Sequence, residues 1–315
     1  MKKYKIFIDG ESGTTGLQIR KRLQTHPNIE IVSIDLQKRK DPDAKLNLMK
    51  KIDATVLCLP DDAAKTTALL AEEAGCRVLD ASSAHRTAPD WVFGLPELVP
   101  QQRALIRDSL KVSNPGCYST GAILLLRPLV DIGLISPETT YSITAISGYT
   151  GGGDKLIKSY EFNMEKSPSY ATYGLDFSHK HIPEIQMWSH LIKRPFFIPS
   201  VGNFRQGMLV FIPIEHPCDM DGELLHTALK GHYDGEHFIH IQPYNSLEAH
   251  TFPYLTPHGI EGSNVADLSV FGSKELGKSL LVAKLDNLGK GASGAAVQNL
   301  NIMLRLDEYI AVNLT

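Results

Sequence analysis

Apolar residues in the first third of the chain come in short runs separated by segments with a different beat. KYKIFIDG (3–10), IEIVSID (29–35), DATVLCLP (53–60) and CRVLDAS (76–82) read as strands, too short for buried helices and bounded by Gly, Pro or Asp. Between them, TGLQIRKRLQTH (15–26) places Leu17, Ile19 and Leu23 at helical spacing, and DAAKTTALLAEEAG (62–75) reads as a helix stopped by Gly75. Strands alternating with helices of this length predict parallel βαβ units and a doubly wound sheet.

Beyond Cys117 the pattern changes. TYSITAISG (140–148), GMLVFIPIE (207–215), EHFIHIQP (236–243), VADLSVFG (265–272) and SLLVAKLDN (279–287) contain stretches of period two, with fewer helices between them. A mixed or antiparallel sheet is expected there. The chain ends in KGASGAAVQNLNIMLRLDE, with good helix propensity and apolar positions at Val297, Leu300, Met303 and Leu304. The fold class is therefore α/β: a Rossmann-type doubly wound parallel sheet over residues 1–116, and a second α+β domain with a mixed or antiparallel sheet over 117–291.

Composition narrows the function without naming it. The 315 residues are 43% hydrophobic and 21% charged, enough for two domains with a core in each. A net charge of −3 supplies no basic field for nucleic acid. No apolar run reaches the length of about 18 that a membrane helix needs, and the N-terminus lacks the long apolar core of a signal peptide. A cytoplasmic protein is expected. Cys58, Cys76, Cys117 and Cys218 are too widely spaced for a metal site and are expected as thiols. Cys58 reads as a buried strand residue, and Cys218 falls in the loop EHPCDMDG.

Two motifs carry chemistry. GESGTTG places Gly10, Gly13 and Gly16 between the first strand and the first helix, a GxxGxxG variant of the dinucleotide turn. There, glycines let the backbone approach a pyrophosphate and the helix N-terminus faces its charge. At the end of the second strand, Asp35 suits the ribose hydroxyls of NAD, whereas Lys38, Arg39 and Lys40 suit the extra phosphate of NADP. The second motif is SNPGCYST (113–120). Pro115 and Gly116 shape a turn that leaves Cys117 where a helix can begin, and amides and dipole there lower a thiol pKa from about 8.5.

A cysteine nucleophile wants a histidine, and YGLDFSHKHIPEIQ supplies Tyr173, His179 and His181. An extended backbone through H-K-H would put both rings on one face. Metal binding is discounted, because no third ligand recurs at suitable spacing and Glu184 alone is not enough. In DASSAHR, His85 and Arg86 come at the C-terminal end of a parallel strand, where ligands gather, and Arg86 could grip a phosphate or carboxylate. A thiol that forms an acyl-enzyme beside a nicotinamide points to reduction of an activated acyl group to an aldehyde, or the reverse.

Through GESGTTG, DASSAHR, FGLPEL, SNPGCYSTGA, SGYTGGG, HKHIPEI and GKGASGAAVQN, essentially the whole chain resembles the N-acetyl-γ-glutamyl-phosphate reductase family in its shorter form. One departure is Ser119, where members often carry Pro. The resemblance implies a Rossmann domain completed by a C-terminal helix (292–315), and a homo-oligomer, dimer or tetramer, associating through the second domain. It implies attack of Cys117 on N-acetylglutamyl 5-phosphate, loss of phosphate, and reduction of the thioester by NADPH. A histidine handles protons: His179 by its spacing from the tyrosine, with Tyr173, His181 and Arg86 on substrate and His181 the alternative. Gly10, Ser12, Gly13, Thr14, Thr15, Gly16, Lys38, Arg39, Ser82 and Asn299 form the expected NADP set. The same chemistry on N-acetyl-aminoadipyl or aspartyl phosphate is the neighbouring expectation, and neither nucleic acid, membrane nor metal is implied.

Overall fold

Buried aliphatic runs need cover on both faces, and alternating helices supply it. The computed structural model describes residues 3–162, 167–216, 221–246 and 254–312, which fall into two units. The first contains residues 1–115 and 292–315. Its elements run β1 (Tyr4–Asp9), α1 (Thr14–Gln24), β2 (Ile29–Val32), α2 (Pro42–Met49), β3 (Ala54–Leu57), α3 (Asp61–Glu73), β4 (Arg77–Asp80), β5 (Val92–Phe93), α4 (Gln102–Asp108) and β6 (Lys111–Ser113). They build a parallel six-stranded sheet in the order β2-β1-β3-β4-β6-β5. Phe7, Leu57 and Val78 share its core with Ala64, Ala68 and Ala71 of α3, whose small side chains let that helix lie close on the strands.

The second unit, residues 116–291, contains α5 (Cys117–Asp131), β7 (Ser142–Gly148), α6 (Gly153–Phe162), β8 (Tyr170–Thr172), α7 (His181–Trp188), β9 (Phe196–Gly202), β10 (Met208–Glu215), α8 (Gly222–His232), β11 (Ile239–Ile241), β12 (Ala266–Ser273) and β13 (Lys278–Leu285). Its mixed seven-stranded sheet has the order β11-β12-β13-β10-β7-β9-β8. The side chains alternate with period two. Gly121 of α5 lies so close to Val210 and Ala283 that an added Cβ would press on both, so α5 packs on that face. The intervening positions align across the other face, Phe211 beside Thr144 and Thr144 beside Ile198, then Pro213 beside Leu280 and Leu280 beside Phe271. These apolar side chains are half-exposed or exposed.

The last helix, α9 (Gly294–Met303), belongs to the first unit. It corrects the expected helix over 292–315. Leu304 and Arg305 turn the chain, Arg305 takes φ +59°, and the Leu306 amide returns to the Asn301 carbonyl. Asn301 Nδ2 then holds the Ile310 carbonyl (2.8 Å), and the buried Arg22 of α1 donates from Nη1 to the Val312 carbonyl and from Nε to Ser293 Oγ. The segment is thus fixed as a packed turn, against its local helix propensity.

His26, buried at the end of α1, ties this turn to pH. Its Nδ1 accepts the Asn28 amide (3.1 Å), so the neutral ring carries its proton on Nε2, 3.0 Å from Asn301 Oδ1. Burial holds its pKa below the ordinary imidazole value, with the Asn301 bond opposing. A depressed folded pKa means the stability it contributes is fully present above the ordinary value of about 6.5, and is lost as pH falls through the folded value. His26→Gln should therefore lose less melting temperature than the parent between pH 7.5 and 5.0, by roughly 2–4 °C for each kcal/mol of linkage removed. Scanning calorimetry at both pH values measures the difference.

Candidate active site

In the first unit, β1 ends at Asp9 and the chain turns at Gly10, whose φ is +89°. A Cβ there would stand 2.3 Å from the Cys58 carbonyl, so only glycine closes this turn. The Gly13 amide returns to the Gly10 carbonyl (3.1 Å), and Gly13 caps α1, which begins at Thr14 and carries Thr15 and Gly16 in its first turn. Beside the turn lies a cavity of about 620 Å³, lined among others by Gly10, Glu11, Ser12, Arg39, Lys40 and Lys45. Lys45 Nζ reaches Asp9 Oδ2 (2.5 Å), where Thr67 also donates, so Lys45 is already paired. Asp35 stands outside this lining and spends Oδ1 on the Gln37 amide (3.0 Å); Lys38 also stands outside it. Lys45 was missed in the sequence because its helix gives no motif, only proximity to Asp9 across the fold.

At the end of β4, the fully buried Asp80 gathers the DASSAHR loop. It accepts from the Ser82 amide (2.9 Å), the Ser82 hydroxyl (2.7 Å) and His85 Nδ1 (2.6 Å), and the His85 ring stacks on Trp91 at 4.0 Å. Ser82 thus commits its hydroxyl to this loop. Arg86 is buried, its Nε donating to the Asn114 carbonyl (2.9 Å) and Nη2 to the Ala81 carbonyl (3.3 Å). Asn299 is fully buried and donates to the Gly94 carbonyl (2.7 Å) and Asn114 Oδ1 (3.0 Å). Asn114, three residues before the cysteine, is therefore held by four neighbours in its own unit, the others being the Ala292 carbonyl, which takes its side-chain amide, and the Asp80 carbonyl, which takes its backbone amide. Cys58 lies one residue beyond β3, where burial pushes its thiol up to about 12, with Asp80 and Asp9 adding to the shift. Burial also raises the Cys76 thiol. Cys218 lies outside the described residues.

In the second unit, Gly116 has the extended backbone of an N-cap and Cys117 is the first residue of α5. From Val112 to Leu126 every residue is buried except Cys117. Behind it packs Gly291, where a Cβ would come within 2.7 Å of the Cys117 Cβ. Tyr118, next on the helix, meets both histidine rings edge-on, at 6.1 Å for His179 and 5.8 Å for His181. The Tyr173 hydroxyl donates to Tyr118 Oη (3.2 Å), and Tyr118 donates onward to the Ser200 carbonyl (2.9 Å). Burial raises both phenols, Tyr173 to about 12 and Tyr118 well above its ordinary value, so both hold their protons at neutral pH.

The H-K-H segment does not take the extended backbone that would put both rings on one face. Lys180 is already helical and His181 opens α7, yet the turn still brings the rings together, 4.7 Å apart and nearly perpendicular. The His181 amide donates to His179 Nδ1 (3.1 Å), which puts the proton of a neutral His179 on Nε2. Glu184, absent from the expected site, is buried with Oε1 accepting the Gly116 amide (2.7 Å) and Oε2 the Ser119 hydroxyl (2.8 Å). Its only signal in the sequence was its place in HKHIPEI.

A glycine turn of the dinucleotide type on a parallel sheet, and a half-buried thiol at the start of a helix packed on a mixed sheet, are features of the dehydrogenases that work through an acyl thioester. The semialdehyde dehydrogenase NAD-binding domain matches residues 5–106 and the semialdehyde dehydrogenase dimerisation domain residues 117–287. Solved structures share the fold: aspartate semialdehyde dehydrogenase II from Vibrio cholerae (TM-score 0.71, 15% identity, 97% of this chain and 99% of that one) and the Candida albicans aspartate semialdehyde dehydrogenase with NADP (0.65, 14%, 96% and 99%). Relatives named N-acetyl-gamma-glutamyl-phosphate reductase are much nearer in sequence. That of Nostoc sp. is 46% identical over 99% of this chain and 100% of its own length, and that of Pseudomonas putida 45% over 95% and 96%. The chain belongs to the N-acetyl-γ-glutamyl-phosphate reductase family of semialdehyde dehydrogenases.

Proposed function

We propose that this chain reduces N-acetyl-L-glutamyl 5-phosphate to N-acetyl-L-glutamate 5-semialdehyde, releasing phosphate, with NADPH as reductant and an acyl thioester on Cys117. The observation that carries the reading is Cys117 itself, the one opening in a buried run, at a helix start whose next residue, Tyr118, meets the rings of His179 and His181. Cys117 attacks the acyl carbon, its sulfur replacing the phosphate oxygen. Arg86, which braces the Asn114 loop through Nε, is the proposed partner for an anionic group of the substrate, since a guanidinium pairs well with phosphate or carboxylate. Gly10, Gly13 and the start of α1 would hold the pyrophosphate of a nicotinamide dinucleotide, which when bound would supply the hydride for reduction of the thioester. His179 holds a proton on Nε2 for the oxygen that becomes negative, and takes one back as the thiohemiacetal collapses and sulfur leaves. Tyr173 and Tyr118, kept protonated, orient the histidines and the substrate around them.

The cavity supports NADP over NAD. Arg39 and Lys40 line it, while Asp35, the residue that would bind a free ribose 2′-hydroxyl, does not. Exchanging both cations for serine should raise KM for NADPH by about tenfold or more, since charge-assisted hydrogen bonds are each worth roughly 1.5–3 kcal/mol, and leave KM for NADH nearly unchanged. The defining experiment follows nicotinamide absorbance with N-acetylglutamate semialdehyde and phosphate, using NADP and then NAD. A clear preference for the one-carbon-longer N-acetyl-aminoadipate semialdehyde, or for aspartate semialdehyde, would reassign the substrate. The half-exposed apolar face built on Phe211, Ile198, Leu280 and Phe271 supports a homo-oligomer that covers it with a second copy. A cytoplasmic setting agrees with Cys58, Cys76 and Cys117 being thiols.

A further inference from the structure

Ser119 is fully buried in the first turn of α5, and its hydroxyl is not spent at random. It donates to Glu184 Oε2 at 2.8 Å, while the Gly116 amide donates to Oε1 of the same carboxylate at 2.7 Å. The two donors bracket Cys117. The Gly116 carbonyl is held as well, by the Thr120 amide (2.8 Å) and hydroxyl (3.0 Å). Glu184 is 1% exposed and lies on α7, whose first residue is His181.

We infer that Glu184, through Gly116 and Ser119, is the positioning residue that fixes the Cys117 turn and locks it to α7, the helix that opens at His181 directly after the His179 loop, at some cost in thiol acidity. Geometry gives the first half. A carboxylate bridging N-cap amide and third-residue hydroxyl leaves the intervening backbone little freedom, and proline at 119 would remove one of the two anchors. Electrostatics gives the second. A helix start carries about half a positive charge, which favours a thiolate; a buried carboxylate at that start offsets it. The other titratable groups facing the turn within its unit are His179, His181, Tyr118 and Tyr173, with Lys290 beside Gly291 lying 5.3 Å over the Phe238 ring. Both tyrosines are neutral at working pH. Asp286, whose carbonyl holds Gly291 behind the thiol, turns its carboxylate to the Gly262 and Leu288 amides, so Glu184 is the acid bonded to the Cys117 turn itself.

This rests on Cys117 being the nucleophile, and the test separates the two ideas. Iodoacetamide alkylation of Cys117, followed by peptide mass spectrometry across pH with neither substrate nor cofactor, reads the thiol directly. Glu184→Gln keeps shape and an acceptor but removes the charge. Its alkylation midpoint should fall by about one pH unit, with kcat within about tenfold of the parent. Glu184→Ala should lose about 100-fold in kcat, with KM for the acyl substrate changed less than about threefold, and Ser119→Ala should fall between these. An unmoved or raised midpoint in Glu184→Gln overturns the proposal, as does parental kcat in Glu184→Ala. Should Glu184→Ala lose its cooperative melt, the near-isosteric Gln variant and Ser119→Ala carry the test alone. A parent that alkylates as expected but turns over no acyl phosphate would fail the functional reading and leave the clamp standing.

Discussion

Cys117→Ser is expected to lose acyl-phosphate reduction by about 10⁴-fold or more, the scale of removing a covalent nucleophile, while NADPH binds as tightly as to the parent. The exchange replaces one atom at the first position of α5, in a setting where neighbours on both sides are buried and rotamer freedom is small. A serine hydroxyl would sit in the sulfur's place, yet its oxygen is far less nucleophilic at neutral pH and leaves far less readily from a hemiacetal. The glycine turn and cavity that would take the dinucleotide lie wholly within the first unit and contain no atom of residue 117. Fluorescence titration with NADPH and a stopped assay for semialdehyde separate the two properties. Retained turnover above one per cent of the parent would rule out a thioester on this residue.

His179→Asn is the second large effect, an expected loss of about 10²–10⁴ in kcat, the range for a positioned acid or base. Asparagine suits this position for a structural reason. Its Oδ1 falls near the Nδ1 of histidine, so it can go on accepting the His181 amide that fixes the loop at 3.1 Å. What disappears is Nε2 and its proton. A fall in kcat with cofactor affinity kept, together with loss of the imidazole limb in the pH–rate profile, therefore reports proton handling rather than a collapsed loop. His181, buried and within ring contact of His179 and Tyr118, is the control. If His181→Asn abolishes turnover and His179→Asn spares it, the roles are exchanged.

The parts of this site that could be read from the sequence are those whose signal is local. GESGTTG works because strand, turn and helix follow within a few residues, and a glycine at φ +89° has to be placed there by sequence. SNPGCYST is legible for the same reason, since N-cap and nucleophile are neighbours. Legibility fails where the partner is distant. Glu184 lies 68 residues from Gly116, and Lys45 lies 36 from Asp9 on a helix with no motif. An extended backbone was one way for H-K-H to bring its rings together; the chain does it with a turn instead, α7 starting on the second histidine. The C-terminal segment was misjudged. Its propensity is helical to the end, but Arg22, distant by 290 residues, claims the Val312 carbonyl and the chain turns to meet it. β9 also escaped notice, although it inserts between β7 and β8 and carries the Ser200 carbonyl that anchors Tyr118.

The first unit is interrupted: α9 and the turn that Arg22 and His26 hold are made after the whole of the second unit. During synthesis at roughly 5–20 residues per second, the second unit's residues therefore all emerge before the first unit's closing helix exists. Six parallel strands must wait without the partner that buries Arg22 and His26. Chains released early, or tagged so that Val312 cannot seat, should be the forms that aggregate in the cell, whatever the integrity of their thiol centre.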